Sequence, residues 1–141
     1  FWWQRKRNMP KAVQLKEQAP HQTALDALNA LRSEAPPDKA GVERFHIQLS
    51  GILRRYLDDG LAVAAPLKTT EELLADAALV GGPYHDVKGL IDKPLSQCDL
   101  VKFARHHPSD DAMQNALEDA VTFVEHSSRQ AQSGEDETHA T

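Results

Sequence analysis

Between Val42 and Gly60 the apolar residues Val42, Phe45, Leu49, Ile52, Leu53, Tyr56 and Leu57 recur at steps of three and four. Glu43, Arg44, Gln48, Arg54, Arg55 and Asp58 fall between them. A helix turns about 100° per residue, so this spacing stacks the apolar set on one face and leaves the charged set to water. It predicts a long helix over 40–59, about 27 Å from end to end, around which the others pack. Gly60 is expected to take the left-handed conformation that ends a helix. The same period marks four more helices. Leu25, Leu28 and Leu31 set one over 22–34, capped by Thr23 and stopped by Pro36-Pro37, which lack the donor a continuing helix needs. Thr69 and Glu72 form a capping box ahead of Leu73, Leu74, Ala77, Ala78 and Leu79, giving a helix over 70–80.

Val87, Leu90 and Ile91 predict a helix over 84–97, ended or kinked by Pro94. A further turn is expected over 99–105, where Asp99 can act as cap and Leu100, Val101 and Phe103 point inward. Ser109 opens the last helix, over 110–127, with two acids in its first turn and Met113, Ala116, Leu117, Ala120, Val121 and Val124 on one face. Periodicity fades from Ser127, so residues 128–141 read as a disordered tail. No stretch alternates as a strand. The expected fold is all-α: a single compact bundle of about five helices over 22–127. In its core Phe45, Leu49, Ile52, Leu53 and Tyr56 should meet Leu28, Leu31, Leu73, Phe103, Leu117 and Val121.

Charge changes the picture at the N-terminus. Residues 1–20 hold Arg5, Lys6, Arg7, Lys11 and Lys16 against Glu17, a balance of +4, so the whole chain's −5 leaves −9 on residues 21–141. A body that acidic argues against nucleic acid, whose binders need a basic face. The basic head follows Trp2 and Trp3, and that order has a physical meaning. Indole rings settle at a membrane–water boundary, and Lys and Arg just beyond them mark the cytoplasmic side. Trp2, Trp3, Arg5, Lys6 and Arg7 are therefore expected at the inner face of a bilayer, below a transmembrane helix lying upstream. Residues 1–21 then form a juxtamembrane segment and linker.

Chemistry is sparse. Gly81-Gly82 lacks the Lys-Ser/Thr of a phosphate-binding loop. The single cysteine, Cys98, allows no internal disulfide and cannot make a metal site alone. An enzyme built on Cys98, His106 and His107 would need them to converge in a pocket with a base beside the thiol. No cofactor, metal or catalytic set is expected. The cations Arg54, Arg55, Lys102 and Arg105 have no local role in the sequence pattern. Asp99 is expected to hold one arginine in a fork and orient 98–105, leaving the other cations as a positive patch that steers an acidic partner.

Taken in order, LSGILRRYL (49–57), TTEELLA (69–75), CDLVKFAR (98–105) and VTFVEH (121–126) resemble the cytoplasmic C-terminal domain of BatD-like, aerotolerance-type bacterial membrane proteins. The resemblance spans about residues 22–127 and departs from that family's more basic or aromatic ending at Asp58-Asp59-Gly60. It implies a helical tail behind an exported region and one membrane helix, on the cytoplasmic face of the inner membrane. It also implies partners: a MoxR-type ATPase or von Willebrand factor A proteins, in an envelope-associated complex. The family offers no catalytic residues to carry over. The function expected from it is a protein-interaction module, with a purely structural tether or oligomerisation domain as the alternative.

Overall fold

The computed structural model describes residues 19–34, 38–63, 68–76 and 81–140. Five helices lie among them: α1 Pro20–Ser33, α2 Lys39–Leu61, α3 Thr70–Leu74, α4 Lys88–Ala104 and α5 Asp110–Ala140, with a 3₁₀ turn at His85–Val87 before α4. The described residues contain no strand. The fold is the all-helical bundle that the periodicity predicts. Its plan differs in one respect, because α2 is not an axis. Helices α1, α2, α4 and α5 form a ring in which each packs on two neighbours, and α2 meets α5 across the diagonal. The short α3 sits against α4.

The core lies inside this ring. Leu28, Leu49, Leu53, Leu57, Leu73, Ile91, Leu95 and Phe123 are fully buried, and each stabilises the bundle by about 1.5–3 kcal/mol relative to exposure. Helix starts follow the expected chemistry. Thr69 and Glu72 complete both halves of the capping box, and Ser109 Oγ accepts from the Ala112 N–H at 3.1 Å. Asp38 does the same for α2, accepting from Gly41 N at 3.0 Å. Thr23 is not a cap, because α1 begins at Pro20, whose missing N–H costs nothing in a first turn.

Helix α3 ends at Leu74, short of the expected 80, and Ala77, Ala78 and Leu79 lie outside the described residues. The helix expected from 84 starts at Lys88, after the 3₁₀ turn. Three helix ends lie further along the chain than expected, each for a physical reason. Helix α2 runs past Gly60, and the left-handed position falls on Ala62 (φ 58°). Gly60 is small for a different cause: a Cβ there would lie 2.8 Å from Tyr56 Cε1 and 3.4 Å from Pro20 Cβ. Helix α4 passes through Pro94 without stopping and absorbs the turn expected at 99–105. Pro94 removes the bond to the Leu90 carbonyl, but its ring is buried in the core, and that packing holds the helix together. Asp99 consequently lies within a helix and caps nothing.

The third boundary is the end of α5. The helix continues to Ala140, beyond the end expected at Ser127. Ser127 is fully buried, with its hydroxyl bonded to Tyr56 and to the Phe123 carbonyl, so the helix still has a partner there. The expected membrane-boundary residues Trp2, Trp3, Arg5, Lys6 and Arg7 lie outside the described residues. Among the described residues no helix is long and apolar enough to cross a membrane.

Candidate docking surfaces

Helix α4 positions the most conspicuous surface of the bundle. Ile91, Pro94, Leu95, Cys98 and Val101 form its buried stripe. Once the helix is continuous, Phe103 follows Val101 by two residues, roughly 200° around the axis. It therefore cannot share the core with Val101. Phe103 is 79% exposed and Leu100, one turn back, is 50% exposed, which corrects the expectation that both point inward. Lys102 Nζ stands 5.5 Å from the Phe103 ring centroid. Beside them runs an open groove of about 600 Å³ between α3 and α4, with an apolar floor of Leu74, Leu100, Phe103 and Ala104. Two adjacent large apolar side chains on a helix surface mark a docking site more often than scattered ones do.

The structure separates the four cations expected to form one patch. The Arg54 guanidinium donates to the Lys68 carbonyl at 2.6 Å, to Thr70 Oγ1 at 2.8 Å and to Ser50 Oγ at 3.3 Å. It fastens the approach to α3, whereas the expected arginine anchor was Asp99 in the 98–105 segment. Arg55, the next residue, is turned toward α1. There it lines a second groove, of about 630 Å³, with Ala27, Ala30, Gly51 and Asp59. Leu31, Ile52 and Tyr56 complete its lining, and of these Leu31 and Tyr56 are already buried in the bundle core. Lys102 and Arg105 remain at the exposed end of α4, where Arg105 takes the left-handed cap (φ 54°) and its N–H bonds the Leu100 carbonyl.

Residues weighed for catalysis do not converge. Cys98 is fully buried. Burial, and then the Asp99 carboxylate beside it, push its thiol up to about 12, the opposite of what a thiolate nucleophile requires. His106 and His107 are exposed beyond the end of α4. Among the described residues no group of three or more His, Cys, Asp or Glu is placed to hold a metal.

The sequence pattern gives no sign of a contact between a buried histidine and a half-buried glutamine. His46 lies at zero exposure, although its place at the margin of the apolar stripe suggests a boundary residue. Its Nδ1–H donates to the Val42 carbonyl at 2.7 Å, and Nε2 accepts from the Gln97 amide at 3.0 Å. Burial holds its pKa below the ordinary value, the Val42 bond opposes that, and His106 adds to it. His46 and Gln97 are 51 residues apart, and no local pattern announces their meeting.

Comparison with known proteins returns no match: no family model fits the chain, and no curated protein or solved structure is significantly similar to it.

Proposed function

We propose that the chain is the cytoplasmic, membrane-tethered interaction module of a bacterial envelope-associated complex linked to a MoxR-type ATPase, and that it docks its partner through the exposed end of α4. The observation that carries docking is the pairing of Phe103 and Leu100 on one helix face. The segment CDLVKFAR divides cleanly: Cys98 and Val101 are explained by the core, whereas Leu100 and Phe103 are not. Leaving an aromatic ring in water forfeits the stabilisation that burial would give it, so a surface that recovers it on binding accounts for its place. The tether rests on Trp2-Trp3 and the Arg5-Lys6-Arg7 run, and the link to the ATPase rests on the ordered motifs. Lys102 and Arg105 stand at the margin of this face.

The test is capture of the full-length protein from membranes by the purified MoxR-type ATPase of the same organism. The Leu100→Ser/Phe103→Ser double variant should lose capture by about tenfold or more, as anchor residues do. Its stability should move by less than about 0.5 kcal/mol for each exposed position. Undiminished capture by the double variant would overturn the proposal.

A further inference from the structure

We infer that the segment seated on α4 is a basic amphipathic one: a stretch of a partner protein that presents bulky apolar side chains flanked by lysine or arginine. The inference rests on the docking reading above and adds the sign of the partner's charge. The groove's apolar floor is bordered by Glu71, Asp92 and Asp99, with Thr70 and Ser96 between them, and no cation is among its described lining residues. Ser96 Oγ donates to Asp92 Oδ1 at 3.0 Å and fixes that carboxylate at the groove's edge. Lys102 brings one positive charge nearby, and its ammonium is turned over the Phe103 ring. Arg105 stands one residue beyond Ala104 at the end of α4, and the Arg54 guanidinium lies behind Thr70, to whose Oγ1 it donates. The groove's own lining carries three carboxylates and no cation among the described residues, so its sign is negative.

The long-range field has the same sign, since residues 21–141 carry −9, the whole chain's −5 less the +4 of its first twenty residues. Local rim and distant field therefore steer cationic segments toward the apolar floor and turn acidic ones away. From Asp92 to Ala104 the helix runs about 18 Å, the length of a three-turn helical segment. A second copy of this chain is the poorer occupant. Two like faces brought together would set three carboxylates against three across an apolar seam, and like charges so placed oppose association.

The experiment uses the whole chain and two fluorescein-labelled peptides of about twelve residues that share one Leu/Trp helical face. One carries lysine at its polar positions and the other glutamate. Affinity is read by anisotropy at low and high salt, and the site by amide chemical shifts. The lysine peptide should bind about tenfold tighter at low salt, lose most of that advantage at high salt, and shift the amides of 70–74 and 92–104. Asp92→Asn/Asp99→Asn should remove most of the preference, whereas Asp58→Asn/Asp59→Asn on α2 should leave it. Equal affinities at low salt, or a preference that survives Asp92→Asn/Asp99→Asn, would overturn the inference. Tighter binding of the glutamate peptide at Leu100 and Phe103 would overturn the charge assignment and leave the docking face standing. Shifts centred on Ala27, Ala30 and Gly51 with both peptides would overturn both. A concentration-dependent doubling of mass with burial of Phe103 would make the occupant a second copy and overturn the inference as well. Should the double Asn variant unfold, the salt dependence of the parent with the two peptides decides alone.

Discussion

Helix α2 contains two glycines that the structure treats in opposite ways. An alanine at Gly51 would meet no atom within 4 Å. An alanine at Gly60 would place its Cβ 2.8 Å from Cε1 and 3.0 Å from Cδ1 of Tyr56. That ring cannot swing aside freely: Tyr56 is 2% exposed, its hydroxyl is 2.7 Å from Ser127 Oγ, and its edge meets the Phe123 ring at 6.1 Å. Replacing glycine by alanine inside a helix stabilises by about 0.5–1 kcal/mol, mostly through the unfolded chain. Gly51→Ala should therefore raise stability by about that amount. Gly60→Ala gains the same helix term, but forcing an atom into a filled site costs about 1–3 kcal/mol. The expected outcome is a net loss of about 1 kcal/mol, or about 3–5 °C in melting temperature for a chain of this size. Because both changes are the same substitution in one helix, their difference isolates the ring contact. Urea unfolding followed by far-ultraviolet circular dichroism, with linear extrapolation, measures it. Equal stability of the two variants would refute the close approach of Gly60 to Tyr56. Ala62→Gly gives the complementary sign, since alanine in the left-handed region costs about 1–2 kcal/mol that glycine does not.

Other consequences concern buried polar groups. His46 is a base whose pKa is depressed on folding, so above the unfolded value of about 6.5 it is neutral in both states and contributes no pH dependence. As pH falls below about 6.5 the unfolded chain takes up a proton that the folded one refuses, and stability should drop; His46→Gln should flatten that slope in urea titrations at successive pH values. Tyr56→Phe and Ser127→Ala should each cost about 1 kcal/mol. Their double-mutant cycle should show coupling of about 0.5–1.5 kcal/mol, since the two hydroxyls bond each other. Cys98 should resist Ellman's reagent in the native state at mildly alkaline pH and react at once in denaturant, because its thiol is buried and pushed up to about 12; rapid native labelling would contradict its place in the core.

Much of this fold is written in local signals. The three-four spacing of Leu49, Ile52, Leu53, Tyr56 and Leu57 names the inward face of α2, and Thr69 with Glu72 names the start of α3, because both depend on residues within a turn or two of each other. What escapes is decided by tertiary packing. Pro94 stays helical because its ring has a core to enter. Gly60 is glycine because of a side chain on its own helix and a proline on α1, not because a helix ends there. Arg54 and Arg55 are neighbours in sequence, yet the rotation between successive residues gives one to α3 and the other to the α1–α2 groove. The candidate site fails to show for the same reason. A break at Pro94 leaves the phase of Phe103 open, and its apolar character alone then argues for burial. Only continuity through Pro94 sets that phase and turns Phe103 outward.

The central claim is that Phe103 and Leu100 form the face a partner covers, and hydroxyl-radical footprinting tests it most directly. In the free protein Phe103 and Leu100 should be oxidised readily, as their exposure requires, while the buried Leu28, Leu49 and Phe123 stay unmodified. In the proposed complex with a MoxR-type ATPase, oxidation of Phe103 and Leu100 should fall by about tenfold, with Leu74 following them. Ile47, which is 49% exposed on α2, should keep its reactivity. If Phe103 were oxidised as fast in the complex as in the free protein, the exposed end of α4 would not be where this bundle meets its partner.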